Sequence, residues 1–387
     1  MQNITAKFSY SLLAVATMTA LTACGGGGGG SSSTTTINPA TNTSTATTTT
    51  TPTASQDNPT TTTTVANPTQ PTTQVSNTSA EMSALNRLNA QRTQCGFASL
   101  TTDTSLNATA TNHANYLINV SERNKQAYAT HDEALRSAWV GSGSSNPYYS
   151  GNDLKERLAP TTLGAQAIKT SYSASGFAEN LAVTQLQTNN LSATYNAQKS
   201  AENMLNGLLA APYHMRGLLS PNYTQIGVSY KDYTWQSNSM YNVVSVLELV
   251  SARPLNLAMT DNKNLLNYPC NGVTGTEYQL NNESPNPFGT TRDLETAPIG
   301  QPIYVLAPTG KTIKSATATV ALGTLSVGTI HTLLKSNDPN ATLSENEVIF
   351  MPDAPLTPNR TYTVNYQLTY SDNTTASKTF SFTTKAS

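Results

Sequence analysis

The stretch Pro221-Asn222-Tyr223-Thr224-Gln225-Ile226-Gly227-Val228-Ser229-Tyr230 ends in an alternating run, and Asn242-Val243-Val244-Ser245-Val246-Leu247 follows as a second apolar run. Both read as β-strands. Upstream the period changes. Met82, Leu85 and Leu88, then Leu106, Ala110, His113, Ala114 and Leu117, recur at three- and four-residue steps, which predicts two amphipathic helices. Ser105 is placed to cap the second, and the residues from Cys95 to Leu100 read as a turn between them. A third helix is expected over 192–209. Helices that precede strands in this way point to an α+β sandwich, with helices packed on an antiparallel sheet.

Several blocks along this region carry a family resemblance. They are Asn89-x-x-Arg92, Leu106-x-x-x-Ala110-x-x-His113-Ala114, His131, Gly176-Phe177-Ala178-Glu179-Asn180-Leu181-Ala182, and Pro212-Tyr213-His214 through Val228. In that order the region resembles a bacterial CAP (SCP/PR-1-like) domain. The resemblance implies a CAP-type α-β-α sandwich with a large cleft, in which two histidines and one or two glutamates face solvent. Carried onto this chain, the cleft residues are His131, Glu179 and His214, with Glu202 as the second acid. Two imidazoles and one or two carboxylates suit a divalent cation, Zn²⁺ being the natural choice for nitrogen and oxygen ligands; they equally suit acid–base work. Leu208 and Ala211 stand where bacterial relatives often have Trp and Ser, so a nucleophilic role for that Ser is lost. The chain has neither a Gly-x-Ser-x-Gly elbow nor a His-Glu-x-x-His helix, which removes the usual sequence support for a serine hydrolase or a zincin.

Two further histidines have plainer readings. His113 lies on the apolar face of its helix and is expected in the core, and His331 sits on an alternating run as a strand surface residue. Trp139, Tyr148 and Tyr149 fall in an insertion over 132–175 expected at the rim of the cleft. They either stack on glycan faces or pin the insertion.

Beyond residue 275 the period becomes two. Ile303–Leu306, Ala316–Val320, Val348–Met351, Tyr362–Tyr366 and Phe380–Phe382 read as strands at sandwich spacing. Leu356-Thr357-Pro358-Asn359-Arg360-Thr361-Tyr362-Thr363-Val364 resembles bacterial immunoglobulin-like domains. An all-β Ig-like sandwich is therefore expected over 298–387, a polar linker over 276–297, and the CAP domain over 80–275.

At the other end, Lys7 precedes the apolar run Leu12-Leu13-Ala14-Val15-Ala16, too short to span a bilayer. Leu21-Thr22-Ala23-Cys24 resembles the lipobox of bacterial lipoproteins, which implies a signal peptide over 1–23 and an acylated Cys24 anchoring the chain in a membrane. The glycines from Gly25 to Gly30 lack the Asp that retains lipoproteins at the inner membrane, so the outer membrane is expected. Residues 24–79 are Gly, Ser, Thr, Pro and Asn with scarcely any large apolar side chain, a composition that stays disordered. As a random coil this stalk of roughly 55 residues has an r.m.s. span of about 40 Å.

With Cys24 acylated, Cys95 and Cys270 are the cysteines left; in an oxidising compartment a disulfide between them is expected, the alternative being two buried thiols. The net charge of −1 and a charged fraction of 11% supply no electrostatic footprint for nucleic acid. The expected function is an envelope-anchored protein that binds a lipid, glycan or peptide in the His/Glu cleft, with or without a divalent cation. The alternatives are a metal-assisted hydrolase using His131, Glu179 and His214, and an adhesin with an inert cleft.

Overall fold

The structure, a computed structural model, describes residues 78–159, 163–169 and 171–387. The expected signal segment, Cys24 and all but the end of the expected stalk lie outside the described residues. Helix α1, Ser79–Gln94, starts at a capping box in which Thr78 and Glu81 satisfy each other's backbone N–H groups. Asn89 and Arg92 then hold the following turn. Asn89 bonds the backbone of Leu100 in both directions, at 2.9 and 2.8 Å, and the buried Arg92 donates to the carbonyl of Ala98 at 2.7 Å. After strand β1, Thr101–Thr102, helix α2, Thr104–Asn124, is capped by Asp103, which accepts from the amides of Ser105 and Leu106. The cap thus lies two residues before the expected Ser105, because the carboxylate reaches two amides at once.

A short helix α3, Leu154–Leu158, precedes the long strand β2, Ala174–Thr188. The third expected helix divides into α4, Leu191–Thr194, and α5, Ala197–Leu208, where Asn196 caps the second piece. Helix α6 is Pro212–Leu219, and the hairpin strands β3, Gln225–Ser237, and β4, Met240–Pro254, complete a sheet of order β1-β3-β4-β2. Leu181 lies opposite Glu248, and Glu179 opposite Val250; partners in an antiparallel pair share a face. On that face α2 packs through Leu117 and Val120 against Leu181, Val183, Val244 and Val246. On the other face α1, α5 and α6 pack through Leu88, Leu205 and Leu218 against Ala182, Leu247 and Leu249. The result is the expected α-β-α sandwich. Gly227 shows why the alternating run carries a glycine: a Cβ there would stand 2.0 Å from the carbonyl carbon of Leu106 in α2.

The chain continues as β5, Leu266–Tyr268, β6, Val273–Thr276, β7, Ile303–Leu306, β8, Ile313–Leu322, β9, Leu325–Ser326, β10, Ile330–Leu334, β11, Glu347–Pro352, β12, Thr361–Tyr370, and β13, Thr375–Thr384. They form two sheets, β10-β11-β7-β5 and β6-β13-β12-β8-β9, and rings such as Phe350 and Tyr366 meet between them at 6.0 Å. The carboxyl-terminal region is all-β. Its boundary differs from the expected one at 275: β5 pairs with β7, and β6 with β13, so the strands at 266–276 belong to the β region. The segment 276–297 is not a solvated linker either, since Leu280, Glu283 and Leu294 are buried. One apolar cluster runs from Leu88 and Leu218 through Tyr268 to Ile303 and Phe350, a continuity that single-segment patterns do not reveal.

The Cys95–Cys270 disulfide is present, across 175 residues. It joins the end of α1 to the turn between β5 and β6, and so ties the helical sandwich to the first strands of the β region. The aromatic residues of the insertion pack on the domain. Trp139 lies 4.6 Å from Tyr128, and Tyr148 and Tyr149 pack on the α2-side core.

Candidate functional site

His131 follows α2 on a loop held on both sides. Asp132 pairs with Arg136 at 2.6 Å, and that hydrogen bond holds its carboxyl down at about 2. Glu133 is buried; it bonds the amide of Ser150 at 2.7 Å and His113 Nδ1 at 3.1 Å. Between them, His131 Nδ1 meets Glu179 Oε2 at 2.8 Å. The other oxygen of Glu179 accepts from Arg157, whose guanidinium is fully buried and also donates to the carbonyl of His131 at 3.0 Å. Burial pushes the Glu179 carboxyl upward, but the Arg157 charge and the His131 hydrogen bond outweigh it and hold the group well below the usual carboxylate range. On the neighbouring strand Glu248 experiences the reverse. Burial and the negative charge of Glu179 push its carboxyl well above that range.

His214 arrives from the opposite layer, on the first turn of α6, where Pro212 opens the helix without needing a backbone donor. Its ring centroid lies 6.5 Å from that of His131. The two imidazoles, one from each face of the sheet, thus meet beside β2, which is an edge strand. Glu283, from the segment ahead of β7, covers this end: its Oε1 accepts from the amide of Tyr213 at 2.9 Å and stands 3.5 Å from His214 Nδ1. Burial raises the Glu283 carboxyl well above its usual range, against the two α6 amides that it accepts from.

The structure therefore brings together His131, Glu179 and His214 and corrects two expectations. Glu202 is not part of the group; it lies on α5 and accepts a hydrogen bond from Ser83 of α1. Nor do two histidines and one or two glutamates face solvent. His131 has a side chain 13% exposed, whereas His214 is 1% exposed, so the group meets solvent through His131. Arg157, Glu248 and Glu283 were not among the expected residues. Each stands alone in its local sequence, and nothing in residues 281–285 marks Glu283 as a partner of a histidine some seventy positions earlier.

His113, Glu179 and Glu248 also approach one another within 4.8 Å, a spacing that admits an ion. Their chemistry does not favour one. The carbonyl of Thr130, 2.9 Å from His113 Nε2, can only accept, Nδ1 is taken by Glu133, and Arg157 already supplies the positive charge. His113 is a core residue, as its apolar helix face implied. His131 is different: its Nδ1 meets the Glu179 carboxylate, the carboxylate–histidine pairing that orients an imidazole. His331 lies at the surface of the β region, paired with Asp353 at 2.5 Å.

Among the described residues no helix is long and apolar enough to cross a membrane. No curated protein matches the chain. Of the solved structures, PcoC, a copper resistance protein from Escherichia coli, is 16% identical in its selenomethionine form, with 22% of this chain and 85% of that chain covered and a TM-score of 0.18. CopC from Methylosinus trichosporium OB3b is 15% identical over 23% of this chain and 78% of its own, also with a TM-score of 0.18. Likeness at that score bears on neither fold nor function here. Residues 85–247 match the CAP family model, the cysteine-rich secretory protein family, over the part of the chain that forms the α-β-α sandwich.

Proposed function

We propose that the protein is an outer-membrane lipoprotein, acylated at Cys24, whose CAP domain binds a divalent cation between His131 and His214 and, beside it, a lipid, glycan or peptide of the cell envelope. Binding rather than hydrolysis is its work. The observation that carries the reading is the 2.8 Å hydrogen bond from His131 Nδ1 to Glu179, which fixes the ring beside His214. The separation of 6.5 Å between ring centroids is one that small side-chain rotations can close to two Zn–N bonds of about 2.0–2.1 Å. A bound cation would supply a Lewis-acidic centre for an anionic or carbonyl group of the ligand. Glu179 is a poor general base, because both its oxygens are engaged and its carboxyl is held low. This argues against the hydrolase reading.

The test is isothermal titration of Zn²⁺ into the chelator-stripped chain from residue 24 onward, carrying Cys24→Ser for solubility, beside the same chain with His131→Ala and His214→Ala. Heat of binding in the first and none in the second is the expected result. No binding in either would leave a cation-independent cleft and end the cation part of the proposal.

A further inference from the structure

A cavity of about 560 Å³ lies between the later part of β2, the α4–α5 layer and the segment 277–282. It shares no residue with the His131–His214 group. Ala182, Met204, Ala210 and Leu280 are buried and form its floor; Thr194, Lys199 and Asn203 are exposed and form its rim. The volume is ordinary for a small-molecule site.

Its polar lining divides into two sets. Tyr195 is fixed by Tyr230 and Asp232, Asn196 caps α5, and Lys385 is paired with Glu277 at 2.6 Å. In contrast, the side-chain amides of Asn203, Gln279, Asn281 and Asn282 make no hydrogen bond among the described residues. Four amides, each both donor and acceptor, thus converge on one space over an apolar floor. Among the described lining residues Lys199 is the one unpaired charge, and it stands exposed at the rim, so the inner lining carries no unbalanced charge.

We infer that this cavity binds a neutral oligosaccharide bearing N-acetylamino groups. Hydroxyls and acetamido N–H and C=O groups match amides that offer both polarities, and the acetyl methyl suits the Met204 and Leu280 floor. A fatty chain would pair with none of the four amides and would gain only the apolar contact of the floor. The site exists only where the segment 277–282 lies along α5, so neither the CAP fold nor the β region contains it alone.

Gly207 allows a clean test. It lines the cavity on α5, one turn beyond Asn203, and a Cβ there meets nothing within 4 Å; a larger residue fills the cavity while improving helix propensity. The experiment is calorimetric titration of tri-N-acetylchitotriose, with tetra-alanine as the peptide control, into the Cys24→Ser chain. The variants are Gly207→Phe, Asn281→Ala/Asn282→Ala, and His131→Ala/His214→Ala. Chitotriose is expected to bind the parent, to weaken at least tenfold in the first two variants with thermal midpoints unchanged, and to bind the histidine variant as the parent does. Absence of chitotriose binding, equal binding by Gly207→Phe, or tetra-alanine binding that Gly207→Phe abolishes would each overturn the assignment. Loss in the histidine variant alone would move the saccharide to the CAP cleft and likewise overturn it.

Discussion

Glu283 Oε1 lies 2.9 Å from the amide nitrogen of Tyr213 and 3.5 Å from His214 Nδ1, so a residue outside the CAP match caps the helix that carries one of its two cleft histidines. The cap and the lid over His214 are one carboxyl. Replacement by alanine leaves buried amides unpaired and is expected to cost about 1–3 kcal/mol, read as a lower urea midpoint. Glu283→Gln keeps an acceptor and, because burial already disfavours the charge, is expected to stay near the parent. Equal loss in both variants would contradict this account.

Arg157 is the sole cation touching both Glu133 and Glu179 among the described contacts, with the former at 3.9 Å. Arg157→Met strands one buried carboxylate or forces its protonation, and a loss of about 3–5 kcal/mol is expected. Denaturant unfolding measures it. A change below roughly 1 kcal/mol would mean that the charge cluster is already neutral without the arginine.

Glu248 gives a pH signature. Its carboxyl is raised well above the ordinary glutamate value in the folded chain, so over that range the folded state holds a proton that the unfolded state releases. That contribution is complete below about pH 4.5 and is lost as pH rises through the folded pKa. Glu179, lowered instead, contributes above that point and is lost on acidification. The thermal midpoint of the parent is therefore expected to fall from mild acid towards alkaline pH, and Glu248→Gln to flatten this fall. Parallel pH profiles for the two chains would rule the assignment out.

Gly227→Ala places a methyl 2.0 Å from the Leu106 carbonyl carbon, backbone that cannot swing aside. Separation of β3 from α2 is expected, with a loss of about 3 kcal/mol or more. Circular dichroism melts check it, and an unchanged midpoint would show that the helix can shift at no cost.

Removal of the disulfide by Cys95→Ser/Cys270→Ser opens a loop of 175 residues, for which the chain-entropy model gives on the order of 5 kcal/mol, an upper figure. Reduced denaturant resistance without change in the native circular dichroism spectrum is expected. A collapse of native structure would instead assign the bond a role in folding.

The amino-acid sequence by itself determined the elements and much of the site. Steps of three and four marked α1 and α2, alternating and apolar runs marked β3, β4, β7, β8, β11, β12 and β13, and the blocks around His131, Glu179 and His214 marked three residues that do meet. Those patterns are local, and local periodicity reports which face of an element is buried. Tertiary structure alone decided the rest. Glu202 turned to Ser83 because α5 packs on α1; Glu283 reached His214 because the segment 276–297 folds back over α6; and β5 and β6 left the CAP domain to pair with β7 and β13. Each of these depends on partners tens of residues away, and a lone acid or a three-residue strand carries no periodic trace of the partner that will satisfy it.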